Sequence, residues 1–185
     1  RRHGTEDSLV LFGSTSKITR AGAGISFIAG SATTLDWFRT RMQVFTIGPD
    51  KVSQLRHVRF LQDLDGIRAH MRKQAALLRP RFELVLHYLS RSLNGAGMGA
   101  WASPRGGYFV SFDALPGLAT EIVGLAAEAG VKLTPAGATF PYRRDPNDAN
   151  IRLAPTFSEF DELDQAMQVF VVWVQLASIR SRLRR

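Results

Sequence analysis

The chain has 185 residues, of which 45% are hydrophobic and none is cysteine, and its formal net charge at pH 7 is +8. This length suits one domain or slightly more, with enough residues to bury a hydrophobic core. The composition excludes disulfide bonds and cysteine-ligated metal sites, and no stretch approaches the run of about 18 apolar residues that a membrane helix requires.

The positive charge is concentrated at the two ends of the chain. This distribution indicates frayed basic termini, and the alternative is a basic tail that binds an anionic partner such as nucleic acid. The first eight residues lack the apolar core of a signal peptide, so a cytoplasmic protein is expected. Six of the eight net charges are accounted for by Arg1, Arg2, Arg180, Arg182, Arg184 and Arg185.

The first motif is the stretch from Leu9 to Gly24, LVLFGSTSKITRAGAG. An apolar run ends at Gly13, hydroxyl residues lead to Lys17, and small residues precede a second apolar run, ISFIAG. The pattern predicts two buried strands with Lys17 in the turn between them, where the lysine is partly desolvated. The glycines of this turn allow a close approach of the backbone to a ligand or to another strand.

Helical periodicity follows the lysine motif. It predicts a helix that begins after Ser31 or Thr33, a second helix from Asp50, and a third over residues 65–93. Pro80 is expected to kink or interrupt the third helix. A helix of this length is suited to connect two lobes.

After a glycine-rich loop at residues 94–99, the pattern changes to alternation. We predict an α/β fold in which residues 1–62 end a larger sheet domain and residues 63–185 form a compact α+β domain. The closing helix is expected to have Ser158 as its N-cap. The elements predicted here are a hairpin over 101–113, a helix over 115–128, short strands at 131–134 and 151–154, and a helix over 157–180.

A lysine at the end of an apolar strand fits two kinds of chemistry. One is Schiff-base formation with a carbonyl group, which requires a deprotonated amine. The other is a serine–lysine pair, since Ser14 to Lys17 formally reads S-x-x-K, but the chain has no K-T-G partner element. A P-loop is excluded because no second glycine stands beside the lysine.

The string FGSTSKIT, followed by AGAG, resembles the lysine loop of pyridoxal-phosphate-dependent class I aminotransferases, which have fold type I. It is most similar to the MocR-like aspartate aminotransferases. Further blocks match that subgroup in the same order along nearly the whole chain, and they read GPDK, QLRHVRFL, GGYF, TPAGATFPY and NIRLAPTF.

The resemblance implies a role for each matching residue. Lys17 corresponds to the lysine that holds pyridoxal 5'-phosphate as an internal aldimine and moves the proton during catalysis. Ser14, and less directly Ser16, correspond to hydroxyls that bind the cofactor phosphate. Arg152 corresponds to the arginine that receives the substrate α-carboxylate. The implied reaction is amino-group transfer between aspartate and 2-oxoglutarate by a full-length homodimer.

Two departures from the family pattern limit the resemblance. Most class I enzymes have a phosphate-binding arginine seven or eight residues after the lysine, where this chain has Gly24 and Ile25. The family's amino-terminal half, with the aspartate that keeps the pyridine ring protonated, has no counterpart here. The chain is therefore expected to be the carboxy-terminal half of such an enzyme.

The remaining polar residues add no second site. The four histidines have no metal-ligand spacing, so no metal site is predicted, and we interpret them as surface or capping residues. The competing hypothesis is a non-catalytic remnant whose arginine-rich tail binds an anion or nucleic acid.

Overall fold

The computed structural model describes residues 6–184, which form two units that divide between Gln74 and Ala75. The division falls inside a long helix, α3, Leu64–Leu93. The domain boundary that the sequence places after residue 62 stays a prediction. Both helices and strands are present, as an α/β class requires. The domain identities given to the two parts stay predictions.

The first unit begins with a short 3-10 helix, Glu6–Ser8, and an antiparallel hairpin of β1, Leu11–Ser14, and β2, Ser26–Ala29. The two strands pair Ser14 with Ser26. Both strands are mostly exposed, so the prediction of two buried strands is wrong. Apolar pattern leads to burial only where another layer packs on the strands, and no such layer covers this hairpin among the described residues.

Two helices follow, and each begins directly after a residue whose side chain caps its N-terminus. The helix α1, Ala32–Phe45, has Ser31 as its N-cap, and α2, Lys51–Leu61, has Asp50. The Asp50 carboxylate accepts the first free backbone N–H groups of α2, which is the ordinary reason for an acidic cap. The buried face of α2 consists of residues four apart, namely Ser53, His57 and Leu61.

The helix α3, Leu64–Leu93, contains Pro80 without interruption. The predicted third helix is therefore confirmed in its extent. Past the unit boundary it contributes three buried apolar residues at four-residue spacing, Val85, Leu89 and Leu93.

The second unit packs helices on one three-stranded antiparallel sheet in the order β3-β4-β5. Its core contains the inward-facing residues of β4 and β5 and the buried faces of the helices. The elements are β3, Gly99–Trp101; β4, Val110–Ala114; α4, Ala119–Glu128; a 3-10 turn, Pro141–Arg143; β5, Asn150–Leu153; and α5, Phe160–Leu183.

Three sequence predictions fail in the second unit. Residues 131–134 join neither sheet and are irregular. The N-cap of α5 is Glu159, not Ser158, because Glu159 and Glu162 form a reciprocal capping box. Helix α5 also includes Arg180 and Arg182, so these two arginines do not lie in a frayed end. Arg1, Arg2 and Arg185 lie outside the described residues.

Within residues 6–184, none of the helices combines the length and apolar character that crossing a membrane would take.

Candidate active site

Lys17 lies in a tight turn directly after β1. The backbone N–H groups of Ile18 and Thr19 both donate to the carbonyl of Thr15, each at 3.0 Å, and Thr15 N–H donates to the Ile25 carbonyl at 2.9 Å. These bonds close one helical turn that presents the Lys17 side chain at the surface. The expected partial desolvation of Lys17 is wrong in this structure, because the strands on either side are themselves exposed.

The two serines beside Lys17 form a pair. Their hydroxyl oxygens, Ser14 Oγ and Ser16 Oγ, lie 2.7 Å apart, and the backbone N–H of Ser16 donates to Ser14 Oγ at 3.1 Å. Gly24 packs against this pair so closely that a Cβ at position 24 would fall 2.5 Å from Ser16 Oγ. The close approach at Gly24 is to Ser16 of the same turn, and a Cβ at Gly22 would meet nothing within 4 Å in the described structure. Ser14 and Ser16 are both exposed residues.

A buried histidine on α2 holds the turn from behind. His57 is 7% exposed, and its Nε2 lies 2.9 Å from Thr15 Oγ1 and 2.8 Å from Thr19 Oγ1. Thr15 and Thr19 stand two residues before and two residues after Lys17. The prediction that the histidines are surface or capping residues is therefore wrong for His57, which is a buried hydrogen-bonding centre.

Two further side chains hold the same segment. Ser53 Oγ, one turn before His57 on α2, donates to the carbonyl of Ala23 at 2.7 Å. His70 on α3 bonds through Nε2 to the carbonyl of Ile18, and the edge-to-face contact of its ring with Phe60 has a centroid distance of 5.1 Å. A signal for Ser53 and His57 existed in the sequence, since these polar residues stand four apart on the face of α2 that becomes buried.

A cleft of about 450 Å³ opens beside these histidines. Its positively charged lining residues are Arg20, Arg56 and Arg59, and the ring of Phe60 closes one side. The surface next to the lysine turn is therefore cationic, which suits an anionic group more than a neutral one.

Arg152 lies in the second unit, on the face of β5 that points away from the core. Its neighbours Ile151 and Leu153 are buried, as the alternating pattern predicted. The guanidinium carbon sits 4.4 Å from the centroid of the Phe109 ring, a cation–π contact. The Nε atom of Arg152 is buried and has no hydrogen-bond partner among the described residues. A buried donor without a partner is uncommon, so this nitrogen indicates a site for an acceptor group.

A cavity of about 730 Å³ adjoins Arg152. It is bordered by β5, by the segment 129–134 and by the first turns of α5. Arginine is the cation there that can grip a planar carboxylate with two parallel hydrogen bonds. The cavity and the orphan nitrogen together make Arg152 the candidate anion ligand of the second unit.

The loop that leads into β5 is fixed by Asp145. Its carboxylate accepts the backbone N–H groups of Asn147, Ala149 and Asn150 at 2.8 to 2.9 Å. These bonds favour the charged form and hold the pKa of Asp145 below its usual value. The loop therefore delivers Asn150, and with it the start of the strand that carries Arg152, in a defined position.

The arginines of the carboxy-terminal end are partly engaged by the protein itself. Arg182 donates through Nη2 to the carbonyls of Ala96 and Gly97, both at 2.8 Å, and Arg180 lies 4.0 Å from Glu121. Side chains used in this way are less available to an outside anion, so the nucleic-acid alternative is not favoured.

Of the predicted site residues, Ser14, Ser16 and Lys17 share one turn of the first unit, and Arg152 lies in the second. With that geometry described, the chain can be compared with known proteins. The profile of a family described as "Aspartate amino-transferase" matches residues 1–185.

An aspartate aminotransferase of Corynebacterium glutamicum is 47% identical over 167 residues, which is 90% of this chain and 39% of that protein. The chain spans about two fifths of the length of the curated relatives it matches. The crystal structure of an aspartate transaminase from the same organism superposes with a TM-score of 0.88 at 46% identity, over 92% of this chain and 40% of that one.

A more distant structure shows only that the fold is shared. It is the α-aminoadipate aminotransferase of Thermus thermophilus, solved as a complex with N-(5'-phosphopyridoxyl)-L-leucine, with a TM-score of 0.74 at 19% identity. The match covers 91% of this chain and 42% of that one.

Proposed function

The chain belongs to the aspartate amino-transferase family, and from that premise we propose that it is the carboxy-terminal part of a pyridoxal 5'-phosphate-dependent enzyme. The proposed reaction exchanges an amino group between aspartate and 2-oxoglutarate, and the proposed subgroup is the MocR-like one. The observation that carries the proposal is the turn in which the paired hydroxyls of Ser14 and Ser16 are followed at once by the exposed residue Lys17.

The residues of this turn fit the cofactor's functional groups. An aldehyde needs an amine, which Lys17 supplies, and a phosphate needs several hydrogen-bond donors, which the two serine hydroxyls can provide. The cleft lined by Arg20, Arg56 and Arg59 adds positive charge to the neighbourhood. When bound, the cofactor supplies an electron sink for the carbon from which the substrate proton leaves.

In this proposal Lys17 has two tasks. Its amine would hold the cofactor through the aldehyde group, and it would move the proton at the substrate α-carbon. Ser14 and Ser16 would hold the cofactor phosphate. The four-carbon side chain of a lysine is flexible enough for both tasks.

Arg152 is the proposed ligand of the substrate carboxylate. Its buried Nε has no hydrogen-bond partner within residues 6–184, and its guanidinium carbon lies over the Phe109 ring at 4.4 Å from the centroid. A carboxylate that fills this position satisfies the orphan donor and gains a charge-assisted pair of hydrogen bonds. Lysine at this position supplies a point charge without the planar fork, so the match is specific to arginine.

The test is made on the full-length protein that contains this chain. Lys17→Ala is expected to abolish both the visible absorbance band of the lysine-bound cofactor and the production of glutamate from aspartate and 2-oxoglutarate. Removal of a residue that acts directly on the reacting atoms costs several powers of ten in kcat. Lys51→Ala is the matched control, because Lys51 is an exposed lysine that donates to Gln54 on its own helix.

Retention of the visible band in Lys17→Ala contradicts the assignment of the lysine. A wild-type protein that forms the band but transfers no amino group from aspartate contradicts the substrate assignment alone. The homodimer implied by the resemblance is measured on the same full-length protein by sedimentation.

A further inference from the structure

Side chains of two helices bond to the lysine turn. His57 and Ser53 of α2 and His70 of α3 bond to the segment 15–25. Backbone hydrogen bonds of Thr15 close the turn, and the bonds from the helices tie that closed turn to α2 and α3.

The direction of these bonds follows from their partners. His57 Nδ1 lies 2.8 Å from the carbonyl of Ser53, which can only accept, so Nδ1 carries the hydrogen. The hydroxyl oxygens of Thr15 and Thr19 both lie within hydrogen-bond distance of Nε2. Each hydroxyl has one hydrogen, which it can give either to Nε2 of the neutral ring or to a backbone carbonyl, that of Ile25 for Thr15 and that of Thr15 for Thr19. His70 Nε2 likewise has to donate, because the oxygen of Ile18 that it meets is a carbonyl oxygen.

Each threonine also bonds within the turn. Thr19 Oγ1 lies 3.0 Å from the carbonyl of Thr15, and Thr15 Oγ1 accepts the N–H of Ile25 at 2.9 Å. One imidazole therefore ties together residues two before and two after Lys17 and, through Ile25, the start of β2. Lys17 lies on the short stretch of backbone between Thr15 and Thr19, the two residues that the His57 ring contacts.

We propose that His57 is a positioning residue for Lys17. His57 keeps the backbone of the turn fixed while the side chain of the lysine moves. The inference rests on the proposed function and deepens it. The amine has to leave and return at each cycle, so the side chain must be mobile while its Cα stays still. His70 supports the same turn from α3 through the carbonyl of Ile18.

The first test uses the full-length protein without cofactor, so that it does not depend on activity. In His57→Leu, hydrogen–deuterium exchange of the peptide covering residues 15–25 is expected to rise, because the threonine contacts are lost. His87→Leu is the matched control, since His87 is an exposed histidine of α3 whose ring contacts that of Tyr88, its neighbour on the same helix. His57→Gln retains an acceptor near the position of Nε2 and is expected to restore part of the protection.

The second test measures the chemical step by single-turnover transfer from aspartate in the loaded enzyme. The rate constant is expected to fall about 10- to 100-fold in His57→Leu, since misplaced reacting groups lose rate on this scale. His57→Gln is expected to recover part of the loss. A merely structural role lowers the amplitude, which counts folded protein, and leaves the rate constant unchanged.

Two outcomes overturn the inference while leaving the proposed function intact. One is exchange at residues 15–25 that is equal in His57→Leu and wild type, and the other is a reduced amplitude with an unchanged rate constant. A wild-type protein without the visible band overturns the proposed function, and the positioning role fails with it.

Discussion

The two units of this chain bury different kinds of residue. In the second unit the buried set is apolar and continuous, with Phe112, Phe170 and Val174 among its fully buried members. In the first unit, Leu61 is the one buried apolar residue among those described, and it shares the buried face of α2 with Ser53 and His57. The first unit is therefore organised around hydrogen bonds, and the second around a hydrophobic core.

This difference in what is buried determines how each candidate site residue is held in place. Arg152 stands on a strand whose other face is packed, so its position follows from the core beneath it. Lys17 stands on a turn that is held by the backbone hydrogen bonds of Thr15 and by the contacts of His57. Arg152 and Lys17 are therefore held in place by different interactions, apolar packing for Arg152 and hydrogen bonds for Lys17. Substitutions can test the two interactions separately.

The largest expected effect comes from the core of the second unit. Phe112→Ala removes a fully buried ring that meets Phe170 edge to face at 5.3 Å, and large-to-small changes of this kind cost about 3–5 kcal/mol. Phe12→Ala in β1 is the matched control: Phe12 is 76% exposed, so we expect about 0.5 kcal/mol or less. Urea unfolding of the 185-residue chain measures both, and equal losses would break the comparison.

A smaller effect is expected from the two buried serines, one in each unit. Ser53→Ala removes the 2.7 Å bond to the carbonyl of Ala23 and should cost about 1 kcal/mol, with that carbonyl left without its donor. Ser178 is equally buried on α5, yet its Oγ has no hydrogen-bond partner in the described part of the chain. Ser178→Ala is therefore expected to leave stability unchanged or raise it.

Thermal unfolding of both variants provides the measurement. If Ser178→Ala destabilises the protein as much as Ser53→Ala, the distinction between a polar centre and an apolar core is incorrect.

The smallest effect concerns pH and the loop before β5. Because the pKa of Asp145 is lowered in the folded protein, its charged form stabilises the fold. This stabilisation is fully present above the pKa that Asp145 has in the unfolded chain, and it is lost as the pH falls through the pKa that Asp145 has in the folded protein. The Tm of Asp145→Asn should therefore lie below that of wild type near neutral pH, and the gap should narrow as pH drops below about 4. Asp36→Asn, an exposed carboxylate paired with Arg39 on its own helix, is the control. A gap that widens in acid would contradict the assignment.

Much of the fold was accessible from sequence where the signal is local. The helices α1 and α2 begin at Ser31 and Asp50 because these side chains cap them, and the alternation of β5 correctly places Arg152 opposite Ile151. The failed predictions depend on a packing partner that the local sequence does not specify. Residues 131–134, for example, have the composition of a strand, but no other strand pairs with them in the described structure.

The site divides in the same way. Ser14, Ser16 and Lys17 lie in one turn because they fall within four consecutive residues of the sequence. The contact of His57 with Thr15 spans 42 positions, and only the packing of α2 behind the turn creates it. Apolar periodicity marks which face of a helix is buried, but it does not say that a histidine on that face will act on a distant loop.

The tight contact between Gly24 and Ser16 restricts which substitutions the site can accept. A side chain at position 24 would need its Cβ 2.5 Å from the serine hydroxyl oxygen and 2.9 Å from the serine backbone nitrogen, closer than real Cβ atoms come. An arginine at position 24 therefore requires a shift of Ser16, whose hydroxyl is one of those proposed to bind the cofactor phosphate. An engineer who wants the phosphate-binding arginine of most class I enzymes at position 24 has to redesign the serine turn first.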